Sequence, residues 1–122
     1  METLVLVVEG AGVELADLAE RLRSLGAVSL EGGEVLTLRV GTDACFLVKI
    51  TDPEIEGLFE DWPEEMLPKA DTSDFSADYR SADLATAVAH CVASSLPVIV
   101  DTNYGKVVRG DALTVDMLRL RM

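Results

Sequence analysis

The sequence predicts an α+β domain in which a mixed, largely antiparallel sheet carries helices mainly on one face. Three observations lead there. Residues Leu4 to Val8 form a continuous apolar run, as in a strand buried on both faces. Gly32-Gly33 and the stretch Asp101-Thr102-Asn103-Tyr104-Gly105 each separate two short apolar-rich runs, which is a hairpin signal. Other segments space their apolar residues at the helical period. With 122 residues, 49% of them hydrophobic and 26% charged, the chain has the length and composition of one folded domain with a real core. The predicted order is β-α-β-β-β-α-β-α-β-β-α, a single domain over residues 1–122 with an acidic linker at 52–78.

The elements follow in order. After the first strand and the turn Gly10-Ala11-Gly12, Leu15, Leu18, Leu22 and Leu25 place a helix over 13–25, with Ala19 beside the stripe and Gly26 placed as its C-terminal cap. Strands over 27–31 and 34–40 flank Gly32-Gly33 as a two-residue hairpin. In the second of these, Leu36, Leu38 and Val40 alternate with Thr37 and Arg39, so one of its faces meets solvent or a partner, and it is a candidate edge strand. A further strand runs from Cys45 to Ile50.

Asp52-Pro53-Glu54 is a helix start, and Ile55, Leu58, Phe59 and Trp62 continue it at helical spacing; Glu64 to Leu67 add one more turn. Phe75, Ala77 and Tyr79 alternate as a short strand. Ser81 caps a helix running to about residue 95 that is apolar over most of its circumference, with Asp83, Thr86, His90 and Ser94 as its polar stripe. Pro97 ends it. A last hairpin, 98–100 with 107–109, and a helix over 112–120 complete the chain.

Charge narrows the function. The chain carries 22 acids and 10 bases, a net −12. A surface of that sign repels phosphate backbones and anionic membranes, so neither nucleic acid nor membrane is an expected partner. No apolar run reaches the roughly 18 residues of a membrane span. The start, METLVLVVEG, lacks a basic region and a cleavage site, so a cytoplasmic chain is expected. Cys45 and Cys91, far apart and with a single His in the chain, read as free buried thiols.

Motifs for chemistry are weak. Glu9-Gly10-Ala11-Gly12 begins like a dinucleotide turn, but position 15 is Leu and a hairpin follows the helix. The 101–105 stretch begins like a calcium loop, yet its twelfth position is Ala112 where a bidentate Glu belongs. Asp71, Asp74 and Asp78 fit no metal template and read as solvated loop carboxylates. His90, the sole imidazole, reads as a helix-surface residue; Cys91 beside it points about 100° away. No enzyme activity, metal or cofactor is expected.

The charge is concentrated. Residues 52–78 hold ten acids and one base, Lys69. Concentrated like charge costs stability, and there are two reasons to keep it: solubility, or a binding surface for something basic. Phe59, Trp62 and Phe75 lie within the stretch and Tyr79 follows it; aromatic anchors in a charged rim suit a tight protein interface. The expected contact set is Glu56, Phe59, Glu60, Asp61, Trp62, Glu64, Glu65, Asp74, Asp78 and Tyr79. Against this, Phe59 and Trp62 could instead pin the segment to the core.

A small, acidic α+β chain without catalytic motifs resembles the immunity proteins of bacterial polymorphic toxin systems. The likeness is carried by Asp78-Tyr79-Arg80-Ser81 ahead of a helix, then Leu96-Pro97-Val98-Ile99-Val100-Asp101, then Gly105-Lys106-Val107-Val108-Arg109-Gly110-Asp111. It is a pattern and transfers no binding residue. It implies neutralisation of a cognate toxin, such as a basic nuclease, by tight one-to-one binding. The alternatives are a self-associating structural or regulatory domain, including a homodimer, and a small-molecule binder with its pocket between sheet and helices.

Overall fold

Residues 2–50, 59, 62–68, 71–103 and 106–118 are described by a computed structural model of the chain. The described strands form one seven-stranded sheet in the order β2-β3-β4-β5-β1-β6-β7, with every neighbouring pair antiparallel. The strands are β1 (Glu2–Glu9), β2 (Ala27–Glu31), β3 (Val35–Val40), β4 (Asp43–Lys49), β5 (Thr72–Tyr79), β6 (Val98–Asp101) and β7 (Val107–Arg109). Two helices, α1 (Leu15–Leu22) and α2 (Ala82–Ala93), pack on one face. The architecture is α+β, and the sheet is antiparallel throughout.

The continuous apolar run does become an interior strand. β1 lies between β5 and β6, and Leu4 to Val8 are all buried. Leu4, Leu6 and Val8 face the helices with Leu36, Leu38, Leu47, Phe75 and Val100. Val5 and Val7 point to the opposite face, where they meet Trp62 and Ile99. The sheet is therefore covered on both sides over β1, by helices on one and by Phe59, Trp62 and Met66 on the other.

Helix α1 is shorter than its apolar stripe predicts. The Val13 amide is held by the Ser73 hydroxyl at 3.0 Å, which keeps residue 13 out of the helix. The Asp17 carboxylate accepts the Glu14 amide at 2.8 Å and fixes the first turn. Leu15, Leu18, Ala19 and Leu22 are the buried stripe, as the period requires. Gly26 is not a left-handed cap. Arg23 ends the helix, and a Cβ at Gly26 would lie 2.3 Å from the Arg39 carbonyl oxygen. Glycine is needed there because β2 starts in close contact with the end of β3.

The first hairpin uses three residues and not two. Glu31 pairs with Val35, and Gly32 and Gly33 take φ of 59° and 72°, a region open chiefly to glycine. β3 is an interior strand between β2 and β4, and even Thr37 is buried, so the candidate edge at 36–40 is corrected: the edges are β2 and β7. Ser81 caps α2 by accepting the Leu84 amide at 3.2 Å. The apolar circumference of α2 is covered inside the chain, by the sheet, by α1 and by the turns that follow β7.

The helix expected over 112–120 is replaced by two short 3-10 turns, Gly110–Ala112 and Val115–Leu118, and residues 119–122 lie outside the described ones. Leu113 between them is extended and buried, and its carbonyl accepts the His90 Nε2 proton at 2.7 Å. His90 thus staples this segment to α2. No helix among the described residues is long and apolar enough to cross a membrane.

Candidate partner-binding surface

The acidic stretch 52–78 is not a linker throughout. Residues 72–78 belong to β5, an interior strand between β4 and β1. Its period-2 alternation sends Ser73, Phe75, Ala77 and Tyr79 to the helix face and Thr72, Asp74, Ser76 and Asp78 to the other. Phe75 and Tyr79 are 0% and 1% exposed. They are core residues, and Tyr79 is corrected from a surface anchor to a packing one. The helix expected over 53–62 falls largely outside the described residues, as do Glu56, Glu60 and Asp61.

What lies over the second face is a strap seen at Phe59 and 62–68. Trp62 is buried against Val5, Val7 and Ile99, and Phe59 and Met66 pack against the same cluster. The Phe59 and Trp62 rings meet edge-on, with centroids 4.8 Å apart. The Trp62 indole N–H donates to Asp101 Oδ2 at 3.0 Å. The other Asp101 oxygen accepts the Asn103 amide at 2.9 Å, so Asp101 spends both carboxylate oxygens on protein donors. Trp62 is therefore a pin from strap to sheet, the role weighed against that of a partner anchor. Glu64 and Glu65 occupy a single 3-10 turn, Glu64–Met66, and both are exposed.

Asp71, Asp74 and Asp78 do not gather. Asp71 is exposed ahead of β5. Asp78, half-buried, accepts the Thr3 hydroxyl at 2.6 Å. Asp74 and Asp78 stand four residues apart on one strand face, about 13 Å in an extended chain. Among the described residues no group of three or more potential ligands could hold a metal ion. Asp74 is not a solvated loop carboxylate: it is 2% exposed, and its Oδ1 has no hydrogen-bond partner among the described residues.

Burial pushes the Asp74 carboxyl above the usual aspartate value, against the opposing pull of a Thr72 hydrogen bond and the Lys49 ammonium. A carboxyl that binds its proton more tightly when folded supports the fold below its unfolded value and loses that support as pH rises through the folded one. Asp74→Asn is therefore expected to be the more stable protein near neutral pH, by about 1 kcal/mol. The advantage should shrink as pH falls toward 4 in urea unfolding of both proteins. A difference that does not change with pH would remove this account.

The end of the sheet around Asp74 is firmly tied. Ser73 Oγ donates to the Gly10 carbonyl at 2.8 Å, the Gly10 amide donates to the Asp71 carbonyl at 2.9 Å, and the Ile50 amide to the Asp74 carbonyl at 2.8 Å. Lys49 Nζ pairs with Glu14 Oε1 at 2.8 Å. A cleft of about 630 Å³ opens here, walled by Phe59, Ile50 and Leu67, with Asp71, Asp74 and Lys49 on its polar side. Ser73, Glu14 and Lys49 carried no sequence signal for this site, because their partners are remote in the chain.

The two thiols differ. Cys45 and Cys91 are both free, but only Cys45 is buried. Burial, helped by the Asp78 charge, pushes the Cys45 thiol up to about 12, so it stays protonated and inert. Cys91 is half-buried, with its Sγ 3.2 Å from the Arg21 carbonyl.

No family model matches the chain, and no curated protein or solved structure is detectably similar to it.

Proposed function

We propose that this chain is a non-catalytic binding module that docks a basic protein through its acidic strap, in the manner of an immunity-type inhibitor neutralising a cationic toxin or nuclease. One observation carries the reading: Glu64 and Glu65 stand exposed on a turn whose flank is clipped to the sheet by buried Trp62. Carboxylates on a clipped turn lose little freedom on binding, so less of the association energy goes into ordering them. Neither Glu64 nor Glu65 makes an ion pair among the described residues. The aromatic residues serve the clip, and the acids serve the encounter.

This division of labour sets the expected kinetics. Surface charge steers association more than it holds the complex. Glu64→Lys with Glu65→Lys is expected to slow association with the basic partner about tenfold at low ionic strength, with the gap closing in high salt. Stopped-flow mixing across a salt series reads this. Equal association rates for the two proteins in low salt would end the docking proposal.

A further inference from the structure

The cleft at the end of the sheet holds an arrangement that the strap does not use. Asp74 is almost wholly buried on an interior strand, yet one of its carboxylate oxygens has no donor among the described residues. Buried polar groups are nearly always satisfied, and an exception at the wall of an open cleft points to an absent donor. The described donors nearby are already committed. The Ser73 hydroxyl is spent on Gly10 and Val13, and the Lys49 ammonium is held at 2.8 Å by Glu14. With Lys49 matched by Glu14, the described lining residues are in negative surplus through Asp71 and Asp74.

We propose that this cleft is a receptor for one organic cation, a guanidinium or a primary ammonium, anchored on the free oxygen of Asp74. The lining chooses among cations. A hard metal ion takes six or more oxygens, and this wall offers two carboxylates. Phe59, Ile50 and Leu67 are instead suited to the methylene stem of an alkyl cation, and an aromatic face attracts the charge itself. The volume of about 630 Å³ is in the range of small-ligand sites. The donor can be free, or carried as an arginine or lysine side chain on another protein. The inference therefore goes beyond the docking reading and stands if the strap docks nothing.

The test uses the full chain, labelled with ¹⁵N and titrated with ethylguanidinium or n-butylammonium at constant ionic strength made up with sodium. Saturable shifts confined to the amides of Gly12, Ser73 and Asp74 are expected. Asp74→Asn should weaken binding about tenfold or more, the size of a charge-assisted hydrogen bond. Phe59→Leu should weaken it roughly threefold, and serves if Asp74→Asn does not fold. Glu64→Lys with Glu65→Lys should leave this binding unchanged, which separates it from docking on the strap. The peptide Gly-Gly-Arg-Gly-Gly distinguishes the sources. Binding as tight as ethylguanidinium assigns the cleft to a protein side chain, and binding ten or more times weaker, on the order of 1.4 kcal/mol, assigns it to a free cation. No saturable shift with any cation, or undiminished binding by folded Asp74→Asn, overturns the proposal.

Discussion

Trp62→Ala is expected to cost about 3 kcal/mol of stability and to free the strap from the sheet. The indole is 8% exposed and fills the space between Val5, Val7 and Ile99 on the face away from the helices. Removing a large buried ring typically costs 3–5 kcal/mol, and the lower end applies because a strap can settle inward more readily than a helix. Two contacts go with it: the edge-on packing of Phe59, and the N–H bond to Asp101 Oδ2. Trp62→Phe separates the parts. It keeps most of the burial but leaves the Asp101 oxygen without its donor, a loss of about 1 kcal/mol. Urea unfolding of the three proteins measures both steps, and proteolysis near residue 64 reports release of the strap. A cost below about 1 kcal/mol for Trp62→Ala would mean that the strap is held elsewhere. The same variant bears on docking, because carboxylates on a loosened strap must be ordered again on binding.

Where local chemistry decides an element, it could be read from the residues. Leu4 to Val8 announce an interior strand because both faces of β1 are covered, which leaves no polar position in the run. Ser81 marks the start of α2 through a bond that spans three residues. Gly32-Gly33 marks the first turn through a backbone conformation that few other residues adopt. The acidic stretch was harder. As a run of charge it looks uniform, yet its second part is the interior strand β5, on which Asp74 is buried and Glu64 and Glu65 have no counterpart. The alternation of Phe75, Ala77 and Tyr79 carried that information for one face only. The other face reads as loop because Thr72, Asp74, Ser76 and Asp78 are polar, and what covers it comes from remote parts of the chain. Tyr79 shows the same limit: an aromatic beside acids looks alike in sequence whether it faces a partner or the core.

Gly26 is where the two readings part most sharply, and its substitution should have the other large effect. A glycine after a helix ordinarily sits in the left-handed region, where alanine costs about 1–2 kcal/mol and asparagine is tolerated. Gly26 is absent from the residues of positive φ, and the space its hydrogen occupies is bounded first by backbone: a Cβ would lie 2.3 Å from the Arg39 oxygen and 3.2 Å from its carbonyl carbon, with the Val40 side chain at 2.8 Å. A carbonyl within a sheet cannot rotate away as a side chain can. The β2 strand must move off β3, straining the Ala27–Arg39 pair beside it. Gly26→Ala is expected to cost about 3 kcal/mol, at the upper end of overpacking penalties. Gly26→Asn should cost at least as much, because the obstacle is Cβ itself and no backbone preference of asparagine relieves it. The loss should be local first, with amide exchange accelerating at Ala27 and Ser29 before it does in β1, since β2 has a single neighbour among the described strands. Asparagine performing clearly better than alanine in urea unfolding would restore the helix cap and refute the close approach of β2 to β3.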